Sequence, residues 1–443
     1  MFEPSCLFKS LLAVNWAIFL WELYLDYRQY LVHKENEKRP TKVKDIITEE
    51  EYAKARAYKL DKHAFGFAND VFDQLLTTVI LTSGFMPWLW NFSAAFPGQA
   101  VVFVLLNTVV HTVLGMPWEM YDTFVIEEQH GFNKQTIGFY LWDQAKKQLV
   151  SFAITAPIIL ILEWIVDNGG PYFFVYVWAF VSVVIFILLT VYPAFIAPLF
   201  DKYIPLPDGD LKTAIEKLAA SLHYPLTKLY VVHGSKRSAH SNAYMYGFWK
   251  NKRIVLYDTL LSGEEKEKVM KECAKEGEKP EEMDEKDKAR GMSNNEVVAV
   301  LGHELGHWAL SHTLINLVIT EVNMLFMFAV FGYFYKWKAL YVAFGFDSTP
   351  TIVGLLLVFQ YVMALYNQLT GFLMSIHSRR CEFGADAFAA ELGYAPQLCT
   401  ALTKLSKDNL SLPIDDHLYS MFNHSHPPIV ERIAALEKMK KKE

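Results

Sequence analysis

Seven apolar runs of near-spanning length, at about 7–25, 70–90, 100–118, 150–166, 172–198, 314–335 and 350–376, constrain this chain more than any other feature. Roughly 20 apolar residues suffice to carry a helix across the hydrocarbon core of a bilayer. No water reaches backbone N–H and C=O groups there, so each crossing segment must satisfy them internally, as a helix does. The expected fold is an all-α multi-pass membrane protein with about seven transmembrane helices. Several runs carry a polar residue: Glu22, Asp73, His111 and Asn367. In lipid such groups face the bundle interior or water. The first run does not read as a signal peptide, because it contains Glu22, is followed at once by Asp26 and ends in no small-x-small cleavage site.

The chain is not all membrane. Apolar residues are 52 % and aromatic residues 15 %, high for a soluble protein, yet 20 % of the 443 residues are charged, so a sizeable part stands in water. The net charge of -6 is modest and argues against nucleic-acid binding. Cys6, Cys273, Cys381 and Cys399 form no C-x-x-C pair and read as reduced thiols. Two charged segments stand out. Residues 34–62 read as an amphipathic helix at the membrane surface. Residues 264–290, dominated by Glu and Lys, read as a mobile, solvated surface insertion.

The sharpest chemical signal is His303-Glu304-Leu305-Gly306-His307, an H-E-x-x-H motif. Positions i and i+4 share a helical face, so both imidazoles can point at one metal ion. Zinc takes two neutral imidazoles and a third protein ligand, leaving one position for water. Glu304 is then placed to take the proton of that water. The best third ligand is Glu382, in Arg380-Cys381-Glu382-Phe383-Gly384-Ala385-Asp386. Asp386 lies four residues on, where it can accept the second ring N–H of a ligand histidine. Alone, these acids and their neighbouring arginines read as a solvated ion-paired face; the upstream H-E-x-x-H tips the reading to ligand.

Two further segments carry weaker signals. His426, in His424-Ser425-His426-Pro427-Pro428, can donate to a developing oxyanion if it lies near the metal. Taken alone it reads as a surface histidine before a Pro-initiated helix. Asn242 opens Ser241-Asn242-Ala243-Tyr244-Met245-Tyr246, which with 253–258 reads as a β-hairpin turning around Lys250-Asn251. Such a hairpin is either structural or an edge on which an extended substrate pairs.

With these residues in view, the chain resembles the type I CAAX prenyl proteases, integral-membrane zinc endopeptidases. The resemblance runs nearly end to end. It rests on 303–308, on 378–389, on Asn242-Ala243-Tyr244, on 425–432 and on 126–133. It implies one zinc ion on His303, His307 and Glu382, Glu304 as base, substrate or transition-state contacts from Asn242 and His426, and a supporting role for Arg432. It implies helices enclosing a chamber, a cytosol-facing metalloprotease region containing the small hairpin, and prenylated CAAX proteins or peptides as partners in the lipid bilayer. The implied address is the endoplasmic reticulum membrane, and also the inner nuclear membrane. Lys440-Lys441 reads as a dilysine retrieval signal, and equally as a solvated helix end.

Residues 26–69 are rich in Lys and Arg, 118–149 carry Lys134, Lys146 and Lys147, and 199–313 and the C-terminus are charged, whereas 91–99 and 167–171 contain no Lys or Arg. The positive-inside rule then puts the N-terminus in the lumen and the C-terminus and zinc motif in the cytosol, against the grain only of Lys336 and Lys338 in 336–349. The expected division is 1–200 for helices one to five with their loops, 201–313 for the metalloprotease segment, 314–376 for helices six and seven, and 377–443 for the third-ligand helix and C-terminal region. Two rivals remain at this point. A membrane quality-control zinc metalloprotease would lack the prenyl requirement. A transporter or channel would bind a transported ion, but has no need of Glu304 beside it.

Overall fold

The computed structural model describes residues 3–247, 251–275 and 290–440. The N-terminal half is a succession of helices: α1 (Pro4–Glu35), α2 (Glu49–Thr82), α3 (Phe85–Ser93), α4 (Gln99–Tyr121), α5 (Ile137–Asn168) and α6 (Phe173–Val191). Five helical stretches are long and apolar enough to span: Pro4–Glu35, Gln99–Glu127, Ile137–Asn168, Gly170–Leu199 and His312–Phe334. A sixth arises if Thr351–Val362 and Ala364–Glu391, bent by 63°, form one broken span. The count approaches the seven read from the sequence. The exception is the run at 70–90, which is the end of α2 and the start of α3, separated at Gly84 with φ 75. A left-handed residue stops a helix, so this run is not one straight span.

Little of these helices is buried against protein: none of the apolar window of Pro4–Glu35 and 22 % of that of Ile137–Asn168. The helices nevertheless pack a core of their own, in which Phe103, Val177 and Phe331 are fully buried. Glu22, Asp26, Asp70 and Asp73 line a cavity of about 350 Å³ between α1 and α2. Residues 34–62 depart from the surface-helix reading. The α2 helix starts at Glu49 behind a Thr48–Glu51 capping box, and Tyr52 and Ala55 are fully buried in a cluster with Val43, Ile47 and Leu412. That apolar face is occupied by protein.

The aqueous part follows with β1 (Tyr203–Pro205), α7 (Asp210–Ser221), β2 (Leu226–Val232), β3 (Ala243–Tyr246), β4 (Lys252–Tyr257), α8 (Gly263–Lys275) and α9 (Asn294–Ala309). The expected hairpin is present, with β3 antiparallel to β4 from Ala243↔Leu256 to Tyr246↔Arg253. It is not free-standing. Its β4 strand also pairs in parallel with β2, giving a four-stranded sheet in the order β1-β2-β4-β3. Ile254, Val255 and Leu256 are all fully buried, as befits a central strand covered on both faces. The predicted turn residue Lys250 lies outside the described residues.

The insertion reading of 264–290 needs correction at its start. Residues Gly263–Lys275 form α8, and Val269 is fully buried in the same core as Ile254 and Leu256. Charge density hid an amphipathic pattern: Val269 and Met270 turn inward while Glu264, Glu265 and Lys268 supply polar side chains around them. The remainder, 276–289, lies outside the described residues, as does Lys441 of the dilysine pair.

Seven α-helices complete the described chain: α10 (His312–Phe334), α11 (Lys338–Ala343), α12 (Thr351–Leu357), α13 (Ala364–Glu391), α14 (Ala395–Asp408), α15 (His417–Asn423) and α16 (Ile429–Lys440). Helix α13 passes through the boundary read at 376/377 without a break. It begins in membrane-type sequence and ends against α9.

Candidate functional site

Helix α9 is fixed at its start by the Glu296 carboxylate. It accepts the Ser293 N–H and the Ser293 hydroxyl, both at 2.8 Å, and Lys404 of α14 at 2.7 Å. Two glycines then let α13 come close. A Cβ at Gly306 would stand 3.1 Å from Ala385 Cα and 3.2 Å from its carbonyl oxygen, and one at Gly302 would meet Ala389 at 3.8 Å. Small residues four apart on both helices therefore set the approach that brings His303, His307 and Glu382 to one point.

That point has the dimensions of a metal site. His303 Nε2 and His307 Nε2 are 3.2 Å apart. Glu382 Oε2 is 3.4 Å from the first and Oε1 3.3 Å from the second. Donor atoms around a tetrahedral zinc with bonds of about 2.0–2.1 Å stand about 3.3 Å apart. Two imidazole nitrogens this close either share a proton as an N–H···N hydrogen bond or aim both lone pairs at one cation. Glu382 is only 4 % exposed, and its Oε2 has only long contacts, 3.4 Å to His303 Nε2 and to Arg432 Nη1, which leave it capacity that an ion would satisfy. These three are the potential metal-binding group among the described residues.

The ligand atoms are braced from behind. Asp386, fully buried, lies 2.9 Å from His303 Nδ1 and turns Nε2 toward the site. Arg432 grips both Asp386 oxygens, at 2.7 and 2.8 Å, and reaches Glu382 at 3.4 Å. His426 Nε2 stands 3.3 Å from Glu382 Oε1 on the open side, with its own side chain 66 % exposed. His303, His307, Glu382, His426 and Arg432, together with Asn242, Ala243 and Glu304, line a cavity of about 270 Å³.

Comparison with known proteins bears on this geometry. The family description "CAAX prenyl protease N-terminal, five membrane helices" matches residues 29–202, and "Peptidase family M48" matches residues 205–440. The CAAX prenyl protease 1 homolog of Caenorhabditis elegans is 65 % identical, over 98 % of this chain and 98 % of that protein. The Homo sapiens homolog is 46 % identical, over 98 % and 96 %. The chain belongs to the CAAX prenyl protease 1 family. The crystal structure of Saccharomyces mikatae Ste24p superposes with a TM-score of 0.85 at 33 % identity, covering 97 % of this chain and 98 % of that one.

As an M48 peptidase and CAAX prenyl protease, the protein is a multi-pass membrane metalloprotease. Its site residues carry the electrostatics such an enzyme uses. Burial raises the Glu304 carboxyl above its ordinary value, with His303 and His307 pulling the other way. A raised pKa makes a carboxylate a better proton acceptor near neutrality. Burial disfavours the His303 imidazolium, but hydrogen bonds to Asp386 and Glu382 outweigh it and push the metal-free ring up to about 9.

The stretch 126–133 lies away from the metal position. Glu127 accepts the Tyr58 hydroxyl at 2.7 Å and Lys62 at 3.2 Å, and His240 Nε2 is 3.3 Å from its second oxygen. His240 stacks on Phe132 with ring centroids 4.0 Å apart and its Nδ1 is 3.0 Å from Asn409 Oδ1. This joint ties the membrane helices to the segment that delivers Asn242. One site residue escapes a reading by motif. His312 Nδ1 is 3.0 Å from His307 Nδ1 and braces the second imidazole as Asp386 braces the first. The available signal was a third histidine five residues after the motif. It was obscured because Ser311, at φ 58, breaks the helix between them.

Proposed function

We propose that this M48 peptidase is a zinc endopeptidase of the endoplasmic reticulum membrane, and of the inner nuclear membrane, that removes the last three residues of isoprenylated proteins ending in C-a-a-X, with a second, upstream cleavage in its repertoire. The observation that carries the reading is the tetrahedral spacing of His303, His307 and Glu382 beside Glu304 in a cavity at the end of a membrane helix. Two imidazoles and one carboxylate form a known catalytic zinc set. The CAAX specificity draws on the relatives' names and on the length over which they match.

Zinc held by these three side chains would polarise the scissile carbonyl and make the attacking water more acidic. The chain's own groups divide the remaining work. Glu304 takes the proton of the attacking water and delivers it to the leaving amine nitrogen. Asp386 holds His303 in the tautomer that leaves Nε2 free for the ion, and Arg432 keeps Asp386 in place. His426, on the open side, donates to the oxygen that becomes negative as the carbonyl is attacked. Asn242 stands at the head of β3, an edge strand of the sheet, beside which an extended substrate can pair. The prenyl chain partitions into lipid at about 0.8 kcal/mol per buried CH₂, which concentrates such substrates around an enzyme embedded there.

The test is cleavage of a farnesylated C-a-a-X peptide by the purified protein in lipid nanodiscs, before and after chelation. Release of the tripeptide, loss of activity with chelator and recovery with about one zinc per chain are expected. Equal cleavage of the unprenylated peptide would overturn the prenyl specificity. Cleavage unaffected by chelator would overturn the metal chemistry.

A further inference from the structure

A second cavity, of about 500 Å³, adjoins the metal site and shares Leu402, Leu405, His426 and Arg432 with it. Its far wall comes from α1, α2 and the segments that flank α15. The charged groups and histidines there are His33, Lys59, His63, Asp415 and His424. Most are already engaged. His33 Nδ1 is 3.0 Å from His63 Nε2. Asp415, the single acid on the wall, accepts Gln29 at 3.0 Å and faces His424 at 3.9 Å. Arg432 is committed to Asp386.

Lys59 is the exception. Its ammonium makes no hydrogen bond or ion pair among the described residues; it lies 5.7 Å from the centroid of the Tyr58 ring, and Asp415, Lys62 and Glu127 act on it only through longer-range electrostatics. Burial lowers its pKa from the ordinary lysine value, with Asp415 acting in the opposite sense. A partly desolvated cation facing a cavity is stabilised by an anion that enters it.

We propose that Lys59 is the receptor for the free C-terminal carboxylate of the substrate, and that this cavity houses the tripeptide that the reaction releases. The proposal rests on the CAAX reading above. Three residues in extended form span about 10 Å, so the carboxylate end must lie in space that opens directly off the site of cleavage. The adjoining cavity meets that condition, and a site built around an unpaired cation discriminates against a neutral end that leaves the cation unsatisfied.

The experiment compares a farnesylated C-a-a-X peptide with its C-terminal amide, in wild type, Lys59→Gln and Lys59→Arg, each checked for zinc content. Wild type is expected to favour the free acid by about tenfold or more in kcat/KM, as a charge-assisted hydrogen bond allows. Lys59→Gln should bring the acid-to-amide ratio to within about twofold of one, and Lys59→Arg should restore most of the preference. An unchanged ratio in Lys59→Gln overturns the proposal, and so does a wild type indifferent to amidation. Should Lys59→Gln fail to fold, Lys59→Met, of similar length and without the charge, takes its place and is held to the same outcome: a preference that survives in it overturns the proposal. Wild-type failure on both peptides is a different result: it overturns the CAAX reading and takes the proposal with it.

Discussion

Helices α7 and α10 obey one rule with opposite signs. In α7, Leu211 and Ile215 are fully buried and Leu218 nearly so, while Thr213, Glu216 and Lys217 face outward. In α10, Leu314, Val318 and Val322 are 60 %, 54 % and 64 % exposed. The polar groups of α10 turn to protein instead: Glu321 accepts Ser182 at 2.6 Å, and Asn323 accepts the Tyr366 hydroxyl at 2.6 Å. Each helix presents to its surroundings what those surroundings solvate, water in one case and lipid tails in the other. The metal site lies where the two regimes meet. Helix α9 belongs to the water-facing core, while α13 arrives from the membrane, and together they supply the His303–His307–Glu382 group that could hold a metal ion.

If the site is a seam between the two regions, a change on the membrane-derived helix should abolish metal binding held by the other. Glu382→Ala is expected to lose both zinc and activity, measured by metal analysis and peptide cleavage. Asp386→Asn should weaken zinc binding by only about 10- to 100-fold, because it removes a brace rather than a ligand. Full zinc occupancy in Glu382→Ala would break the seam picture. On the α9 side, Glu304→Gln should keep zinc near the wild-type level and reduce cleavage by about a hundredfold or more, since only the proton acceptor is lost.

His426 sharpens the comparison from the open face of the site. His426→Ala should leave zinc in place and lower kcat by about a hundredfold, equivalent to about 3 kcal/mol of oxyanion stabilisation. A fourth metal ligand would occupy the position water needs, so zinc loss in this variant would contradict the assignment. A pure KM effect would contradict it too, because the charge develops only as the carbonyl is attacked.

The two surroundings can also be compared through stability. Ile215→Ala should destabilise the protein by about 2–4 kcal/mol through the cavity it leaves. Val322→Ala, on a face open to lipid, should stay within about 0.5 kcal/mol. Unfolding of both variants in one detergent tests the contrast, and equal losses would mean that α10 packs against protein. Gly306→Ala, at the close crossing of α9 and α13, should cost about 1–3 kcal/mol by overpacking against Ala385 and loosen zinc in step. A stable Gly306→Ala with unchanged zinc affinity would show that the crossing has slack.

What could be read without coordinates is what local periodicity controls. The spacing of His303 and His307 puts both imidazoles on one helical face wherever that helix sits, and Glu304 comes with them. The long apolar runs had to become helices because lipid leaves the backbone no other partner. The hairpin of β3 and β4 was legible because its strands are neighbours in sequence. Its parallel partner β2 was not, since parallel pairing is non-local and leaves no periodic mark. Helix α8 was missed because Glu and Lys swamp the few apolar positions that Val269 and Met270 contribute.

The remaining features depend on which surfaces meet. Glu382 becomes a neighbour of His303 only because Gly302 and Gly306 admit Ala385 and Ala389, and nothing in the spacing of 303 and 382 states that distance. Arg432 closes on Asp386 and Asn242 on the cavity through packing between elements far apart in the chain, while His312 returns to His307 only because the helix breaks at Ser311. Lys59 belongs to a charged stretch like many others until α1, α2 and the C-terminal segment enclose it. Sequence by itself determined the helices, the membrane and the metal-binding pair, because each follows from chemistry repeated along one element. Only the tertiary structure decided that Glu382 joins the two histidines, what braces them, and that Lys59 stands without an ion pair among the described residues beside them, because a site made of several elements exists only once their faces have packed.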